Sequence, residues 1–334
     1  MKDTHYTALH VKETTEGQFS RQITQLAIAD LPDHDTLIRV HYAALNYKDA
    51  LSATGNKGVT RHYPHTPGID AAGEIVKSGD PSLTPGTPVI VTSYDLGMNT
   101  AGGFGQYIQV PADWVVPLPK DMTLEESMII GTAGFTAGLA LYKMEKIGQQ
   151  PDMGPIVITG ASGGVGSLAT GIFSRAGYEV HASTGKTEAH DFLKALGATE
   201  VVGREYVQDP KNRPLLRPKW AGALDTVGGE TLATLLKACS QEGSVATCGL
   251  VGSPKLQATV FPFILNGVNL LGVESATTAR KTRMAIWEKL AGEWKLPDLT
   301  TIATQTNLTE LNDVYIDKIL QGQTKGRIIL KHDI

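Results

Sequence analysis

The sequence predicts an α/β chain in which a doubly wound parallel sheet follows a smaller β-rich domain. Three observations carry that expectation. The β-branched run Ile156-Val-Ile-Thr159 enters a glycine turn, Gly160-Ala-Ser-Gly-Gly-Val-Gly166, backed by a helix of small residues. Strand and helix patterns then alternate from 155 to about 272. Before residue 125, short apolar alternations are separated by Gly and Pro, with no helical pattern between them.

Taken in order, Thr36–Tyr42, Ala72–Val76 and Pro88–Thr92 read as strands of a small barrel or sandwich. Thr123-Leu-Glu-Glu126 has capping-box spacing, so a helix starts there and continues through Leu139–Tyr142. After the strand at Ile156, further strands are expected at Tyr178–Ser183, Glu200–Gly203, Ala223–Val227, Ser244–Cys248 and Asn269–Val273. Helices Ala189–Leu196 and Thr231–Ser240 lie between them. Arg204–Lys219 holds three prolines and five cations beside two acids and reads as a solvated crossover. Two amphipathic helices from Thr278 and a final strand, Arg327–Leu330, complete the pattern. The domains are therefore expected at 1–125, with 273–334 returning to it, and at 126–272.

Composition narrows the function. At 334 residues and net charge −4, the chain has room for two cores and no basic surface for nucleic acid. No run approaches membrane-spanning length, and the first ten residues lack the apolar core of a signal peptide. A soluble, cytoplasmic protein is expected. Cys239 and Cys248 are too few for a disulfide framework or a cysteine-rich zinc lobe. They read as small residues near a helix end and a strand end.

A turn with little side-chain bulk lets backbone N–H groups and a helix N-terminus approach a pyrophosphate, as in a Rossmann fold. The second strand ends about twenty residues on, where such a fold reads the adenine ribose. An NAD-selective site places Asp or Glu there. Here the chain reads Ser183-Thr-Gly-Lys186, with no acid until Glu188, and Arg204 follows the third strand. Hydroxyls and two cations suit a 2′-phosphate, so NADPH is the expected cofactor.

Thr159, Gly160, Gly164 and Gly166 also satisfy the short-chain dehydrogenase glycine pattern, and Tyr142 and Lys146 form a Tyr-x-x-x-Lys pair. The order is wrong for that family, whose pair follows the glycine motif. From end to end the chain instead resembles the medium-chain dehydrogenases/reductases: a GroES-like β-rich catalytic domain, a central Rossmann domain and a return to the first. Where the zinc branch carries Cys, Gly-His-Glu and a second Cys, this chain has Leu45-Asn-Tyr-Lys-Asp49, Gly68-Ile-Asp70 and Ile130-Gly-Thr132. Ile and Gly cannot ligate a metal, and a catalytic zinc needs about three protein ligands. His62 and His65 read as loop histidines, and no metal is expected.

Within the zinc-free branch, Asn46–Ala50, Pro67–Gly73, Gly131–Ala137, Val260–Leu265, Leu270–Ser275 and Gly326-Arg327 are similar to the acrylyl-coenzyme A reductase and quinone oxidoreductase group, also called YhdH/YhfP-like. Members often carry Arg where Lys186 stands, which weakens bidentate reading of the 2′-phosphate. The resemblance implies hydride transfer to the β-carbon of an activated alkene, with preorganised donors facing the developing oxyanion. It puts Tyr47 beside the cofactor, either donating from its hydroxyl or only packing the nicotinamide end. Asn46 and Asp70 are the other catalytic candidates, with loop-fixing and structural hydrogen-bonding roles as alternatives.

By the same resemblance, Ser162, Gly163, Gly164 and Val165 contact the pyrophosphate, and Thr184, Gly185, Lys186 and Arg204 surround the 2′-phosphate. Leu250, Ser275, Gln323 and Arg327 complete the cofactor set. Gly102-Gly103 and Asn56–Arg61 border the substrate, where Lys57 and Arg61 either meet a coenzyme A phosphate or are simply solvated. A small electrophilic alkene, an acyl-coenzyme A or a quinone is the expected partner. A non-catalytic NADPH-binding protein is the alternative of another class. Related chains pair through sheet edges, which here points to a homodimer using an edge strand at Ala258–Pro262.

Overall fold

A computed structural model describes residues 4–333 and divides the chain into two compact units. Unit 1 comprises Met1–Thr132, Ala276–Trp287 and Asp298–Ile334; unit 2 comprises Ala133–Ser275 and Glu288–Pro297. Against the expected boundaries after 125 and 272, the divisions fall after Thr132 and Ser275.

Unit 1 begins with strands β1 (His5–Thr15), β2 (Gln18–Ala27), β3 (Thr36–Leu45), β4 (Asp70–Lys77), β5 (Pro88–Thr92), β6 (Tyr107–Val110) and β7 (Val116–Pro117). Unit 2 supplies β8 (Ile156–Ile158), β9 (Val180–Ser183), β10 (Glu200–Val202), β11 (Trp220–Asp225), β12 (Cys239–Thr247) and β13 (Asn269–Gly272). The chain returns with β14 (Ala303–Thr306) and β15 (Arg327–Lys331). Helices are α1 (Tyr47–Ala53), α2 (Leu124–Lys146), α3 (Gly164–Arg175), α4 (His190–Ala195), α5 (Gly229–Lys237), α6 (Phe261–Asn266) and α7 (Arg280–Ala291). Last come α8 (Leu308–Glu310) and α9 (Ile316–Leu320), joined by a π turn at Leu311–Tyr315.

In unit 1, β14-β15-β3-β4-β5-β7 form one sheet, with β6 also on β3. Bonded to β4, β6 and β15, β3 is buried along most of its length, with Arg39, His41 and Tyr42 only partly so. Ile38 and Val40 share a core with Ile75, Val89, Val91 and Ile108. Ala43 and Leu45 turn to a second core that includes Leu9, Val11, Leu311, Ile316 and Leu330. The hairpin β1–β2 turns at Gly17, whose φ of +75° is in the left-handed region that favours glycine.

In unit 2, β10-β9-β8-β11-β12-β13 are parallel, the strand order 3-2-1-4-5-6 of a Rossmann fold. The order reverses between β8 and β11. Val157, Ala223, Val245, Leu235 and Leu236 pack there around Trp220, whose indole N–H donates to Leu235 O at 2.9 Å. The capping box is present: Thr123 N donates to Glu126 Oε2 at 2.8 Å and Glu126 N to Thr123 Oγ1 at 3.1 Å.

Several expectations need correction. The helix expected over Thr231–Ser240 is α5, which ends at Lys237, and Cys239 opens β12 instead of closing a helix. Ala258–Pro262 is not a strand: 258–260 are irregular, Phe261 and Pro262 start α6, and the sheet edge is β13. Proline at the second helical position, with no N–H to lose, favours a helix start over a ladder there. Arg204–Lys219 is mostly exposed and irregular beyond its first turn, as expected of a solvated crossover, with local order in addition. It opens with a 3-10 turn, Arg204–Val207, buries Val207, and holds the Asp209 side chain between Arg213 and Lys237. Strand β14 and the β1–β2 pairing were not anticipated. Among the described residues no helix is long and apolar enough to cross a membrane, and no group of three or more His, Cys, Asp or Glu could hold a metal ion.

Candidate functional site

Unit 1 contains a buried polar network at the positions compared with zinc ligands. Asp70, fully buried at the start of β4, accepts from Thr132 N (3.0 and 2.9 Å), Thr132 Oγ1 (2.5 Å) and Asn46 Nδ2 (2.8 Å). The buried Arg327 faces it, with Nη2 at 3.6 Å from Asp70 Oδ2, and donates to Ile129 O at 3.0 Å and Asn46 Oδ1 at 3.1 Å. Burial pulls the guanidinium pKa down, while Asp70 and then Asp49 hold it up. Arg327 is thus committed inside unit 1, where it anchors the other two sequence candidates, Asn46 and Asp70.

Backbone geometry makes the network possible. Gly131 interrupts α2 at φ 49° and ψ −158°. A Cβ there would lie 2.5 Å from Asp70 Oδ2 and 2.8 Å from Arg327 Nη2. The kink aims Thr132 N at the carboxylate. Gly68, at φ +114°, lets the loop before Asp70 stack on Gly102-Gly103, where added Cβ atoms would meet Gly68 O at 2.5 Å and Asp70 O at 2.3 Å. His332, whose pKa burial pushes down to about 4, donates from Nε2 to Gly103 O at 2.9 Å. Gly102-Gly103 therefore supports Asp70 from below.

Asp49 carried no role in the sequence reading. It is fully buried and accepts from Asn46 N and Ile69 N, each at 2.7 Å. Burial first, then Asp70, push its pKa up to about 7, against the pull of those two N–H groups. Its signal was the Asn46-x-x-Asp49 spacing, a capping-box variant. By fixing the first turn of α1, it fixes Tyr47, which is 46% exposed and so reachable by a ligand. Lys57 is engaged elsewhere: Nζ meets Glu13 Oε2 at 2.7 Å and sits over the Phe19 and Tyr63 rings. Arg61 and Gln323 are exposed, and His62 is exposed whereas His65 is buried.

Unit 2 carries the nucleotide-type elements. Glycine at the α3 N-cap leaves no side chain over the first-turn N–H groups, among them those of Gly164 and Val165. A Cβ at Gly166 would meet Gly160 O at 2.3 Å, so glycine permits the close packing of helix on turn. Asp225, at the end of β11, accepts from Thr159 Oγ1 (2.8 Å) and Gly228 N (2.7 Å), tying β8 to β11 across the strand-order reversal. Ser162 Oγ and Thr184 Oγ1 are 3.0 Å apart, and Lys186 N donates to Thr184 Oγ1 at 3.1 Å. Arg204 lies over Gly185, where a Cβ would meet its Nε at 2.5 Å, and its guanidinium makes no hydrogen bond or ion pair with another described residue. The structure thus gathers Ser162, Thr184, Gly185, Lys186 and Arg204. Leu250 is exposed beyond β12, and Ser275 Oγ accepts from Thr136 Oγ1 at 2.8 Å.

Gly131→Ala will force a side chain both into a left-handed backbone and against the Asp70–Arg327 pair. A loss of about 2–4 kcal/mol in denaturant unfolding is expected, the range for strain plus a disturbed buried ion pair. A loss below about 0.5 kcal/mol, the scale of a neutral surface change, would show that the kink has no such role.

Comparisons with known proteins agree with this geometry. Residues 32–120 match the alcohol dehydrogenase GroES-like domain, and 164–290 match the family described as zinc-binding dehydrogenase. Acrylyl-CoA reductase AcuI of Ruegeria pomeroyi is 41% identical, over 96% of this chain and 96% of its own. The structure of Bacillus subtilis YhfP with NAD bound aligns at TM-score 0.96 and 42% identity, covering 99% of this chain and 100% of that one. The YhfP sequence carries the provisional name of a quinone oxidoreductase. Salmonella enterica yhdH oxidoreductase, solved with NADP, aligns at TM-score 0.94 and 39% identity, covering 98% and 100%. A GroES-like unit, a Rossmann unit and full-length similarity to these proteins show that the chain belongs to the medium-chain dehydrogenases/reductases, in the YhdH/YhfP-like acrylyl-CoA reductase and quinone oxidoreductase group.

Proposed function

We propose that this chain is an NADPH-dependent reductase that needs no metal and acts on an activated alkene, an acrylyl-CoA-like thioester or an enone. The observation that carries the cofactor reading is the uncommitted Arg204 guanidinium over Gly185, beside Ser162, Thr184 and Lys186. Cations and hydroxyls at the end of β9 fit a 2′-phosphate, which a carboxylate there would repel. When bound, the dinucleotide supplies a hydride. Similarity to proteins solved with NADP and to an acrylyl-CoA reductase supports the same reading. One relative solved with NAD, and the substitution of Lys for a forked Arg at 186, point to graded selectivity.

The side chains suit a metal-free reduction. Asn46, Asp70 and Arg327 bond among themselves, so they act as a scaffold beneath α1. Tyr47 is left as the exposed donor at the head of that helix. As hydride reaches the β-carbon, negative charge develops on the conjugated carbonyl oxygen, which the Tyr47 hydroxyl is proposed to stabilise. A quinone is the alternative acceptor, favoured by the name of one relative.

A homodimer is the proposed assembly. Val260 just before α6, Phe261, Ile264 and Leu265 on it, and Leu270 on β13 are exposed at a sheet edge that a second copy would cover. Sedimentation should find a dimer; a monomer at every concentration removes the proposal.

Two variants test the chemistry. Arg204→Ala is expected to weaken NADPH binding by about 1.5–3 kcal/mol, one lost charge-assisted hydrogen bond, with little change for NADH. Equal losses for both would show that Arg204 does not read the phosphate. Tyr47→Phe should lower kcat and kcat/KM together, by about ten- to a thousandfold. With deuterated NADPH and an enone or acrylyl thioester, label should enter the β-carbon and solvent hydrogen the α-carbon. An unchanged kcat where chemistry limits the rate would remove Tyr47 from the donor role. No turnover of any alkene, thioester or quinone, with NADPH still bound, would identify a binding protein instead.

A further inference from the structure

The turn that carries Arg204 is held by a chain of polar side chains outside the site described so far. Glu179 Oε1 lies 3.1 Å from His181 Nε2, and His181 Nδ1 lies 3.1 Å from Tyr206 Oη. His181 is in the middle of β9, the strand that ends at Ser183-Thr184, and its side chain is 8% exposed. Tyr206 is two residues beyond Arg204 in the same 3-10 turn. Its ring packs against His181 (5.9 Å) and Trp220 (5.8 Å), with Lys219 Nζ 5.1 Å above it. The next residue, Val207, is in the core.

The backbone gives this turn little support at its Arg204 end. Thr184 N donates to Val202 O at 3.0 Å and Tyr206 N to Gly203 O at 3.2 Å, while Ser183 Oγ reaches Gly203 O only at 3.4 Å. Arg204, flanked by Gly203, shares its turn with Tyr206, whose hydroxyl ties that turn to His181 of β9. In a neutral imidazole, the Glu179 carboxylate favours a proton on Nε2, leaving Nδ1 to accept from the Tyr206 hydroxyl. Three side chains thereby link β9 to the turn that carries Arg204.

We infer that Glu179, His181 and Tyr206 are positioning residues for nucleotide selectivity: by fixing the Arg204 turn against β9, they set how strongly a 2′-phosphate is preferred over a 2′-hydroxyl. This rests on the reading of Arg204 as the phosphate-binding residue. None of the three touches the ligand in this role, so the effect passes through Arg204.

The test is calorimetric binding of adenosine 2′,5′-bisphosphate and of AMP to the whole protein, with KM and kcat for NADPH alongside. Tyr206→Phe keeps the ring and removes only the hydroxyl. It should weaken the bisphosphate about three- to tenfold, the range for one hydrogen bond, and leave AMP within about twofold. KM for NADPH should rise with kcat unchanged at saturation. His181→Ala should act likewise, and His181→Asn, whose side-chain oxygen can replace the Nδ1 acceptor, should recover most of the loss. In an Arg204→Ala background, Tyr206→Phe should have no further effect.

Equal weakening of both nucleotides would mean that the tyrosine merely shapes the adenosine pocket, and would overturn the inference. So would an unchanged bisphosphate affinity in Tyr206→Phe while Arg204→Ala still loses it. If Arg204→Ala itself leaves the bisphosphate unaffected, the phosphate reading fails and the inference falls with it.

Discussion

The buried carboxylate of Asp70 is the constraint on which unit 1 depends. An ion taken out of water costs several kcal/mol unless it is paired and hydrogen-bonded. Here the compensation comes from three separate stretches of chain: Asn46 before α1, Thr132 after the α2 kink, and Arg327 at the start of β15. The requirement propagates outward. Thr132 N reaches the carboxylate because Gly131 turns the backbone, and Gly131 is needed because any Cβ there would strike the ion pair. The Gly68 and Gly102-Gly103 stack meets a separate demand, the close approach of two backbones beside Asp70.

Sequence reading found much of the frame and less of this network. The central glycine run, the capping box at Thr123 and the strands around the parallel sheet were legible because their signals are local: period, cap spacing and turn chemistry. Arg327 was the instructive case. Resemblance pointed it toward the cofactor, yet burial and three acceptors hold it against Asn46 and Asp70. Nothing within a few residues of Arg327 reports that, since its partners are more than 190 residues away in sequence. Asp49 was legible in principle, because Asn-x-x-Asp is a cap spacing, but its burial is tertiary. At Ala258–Pro262 the β-branched residues suggest an edge strand, but Pro262 favours a helix start, and α6 begins there.

The nucleotide end follows a different logic. There the informative feature is missing chemistry: the second strand of unit 2 ends in hydroxyls and a glycine, without an acid. Gly185 does more than turn the chain. Its missing Cβ leaves the space that the Arg204 guanidinium occupies. A larger residue at 185 would displace the cation, so Gly185 and Arg204 act as one unit and neither alone signals a phosphate site. Tyr206 belongs with them through its turn, although it faces His181 and Trp220.

The contrast between the two ends accounts for what the chain reveals about itself. A phosphate is recognised by charge and by backbone approach, and both leave marks in sequence as cations and glycines at fixed offsets from a strand. An alkene carbonyl asks only for one well-placed donor and a surface of suitable shape. The proposed donor, Tyr47, is exposed, at the head of a helix held by the buried Asp49 and Asp70 and the half-buried Asn46. In the proposed reaction the exposed hydroxyl meets the acceptor, while the buried groups only hold its helix in place. Nothing in those buried groups selects among acceptors, so the acceptor has to be identified by turnover.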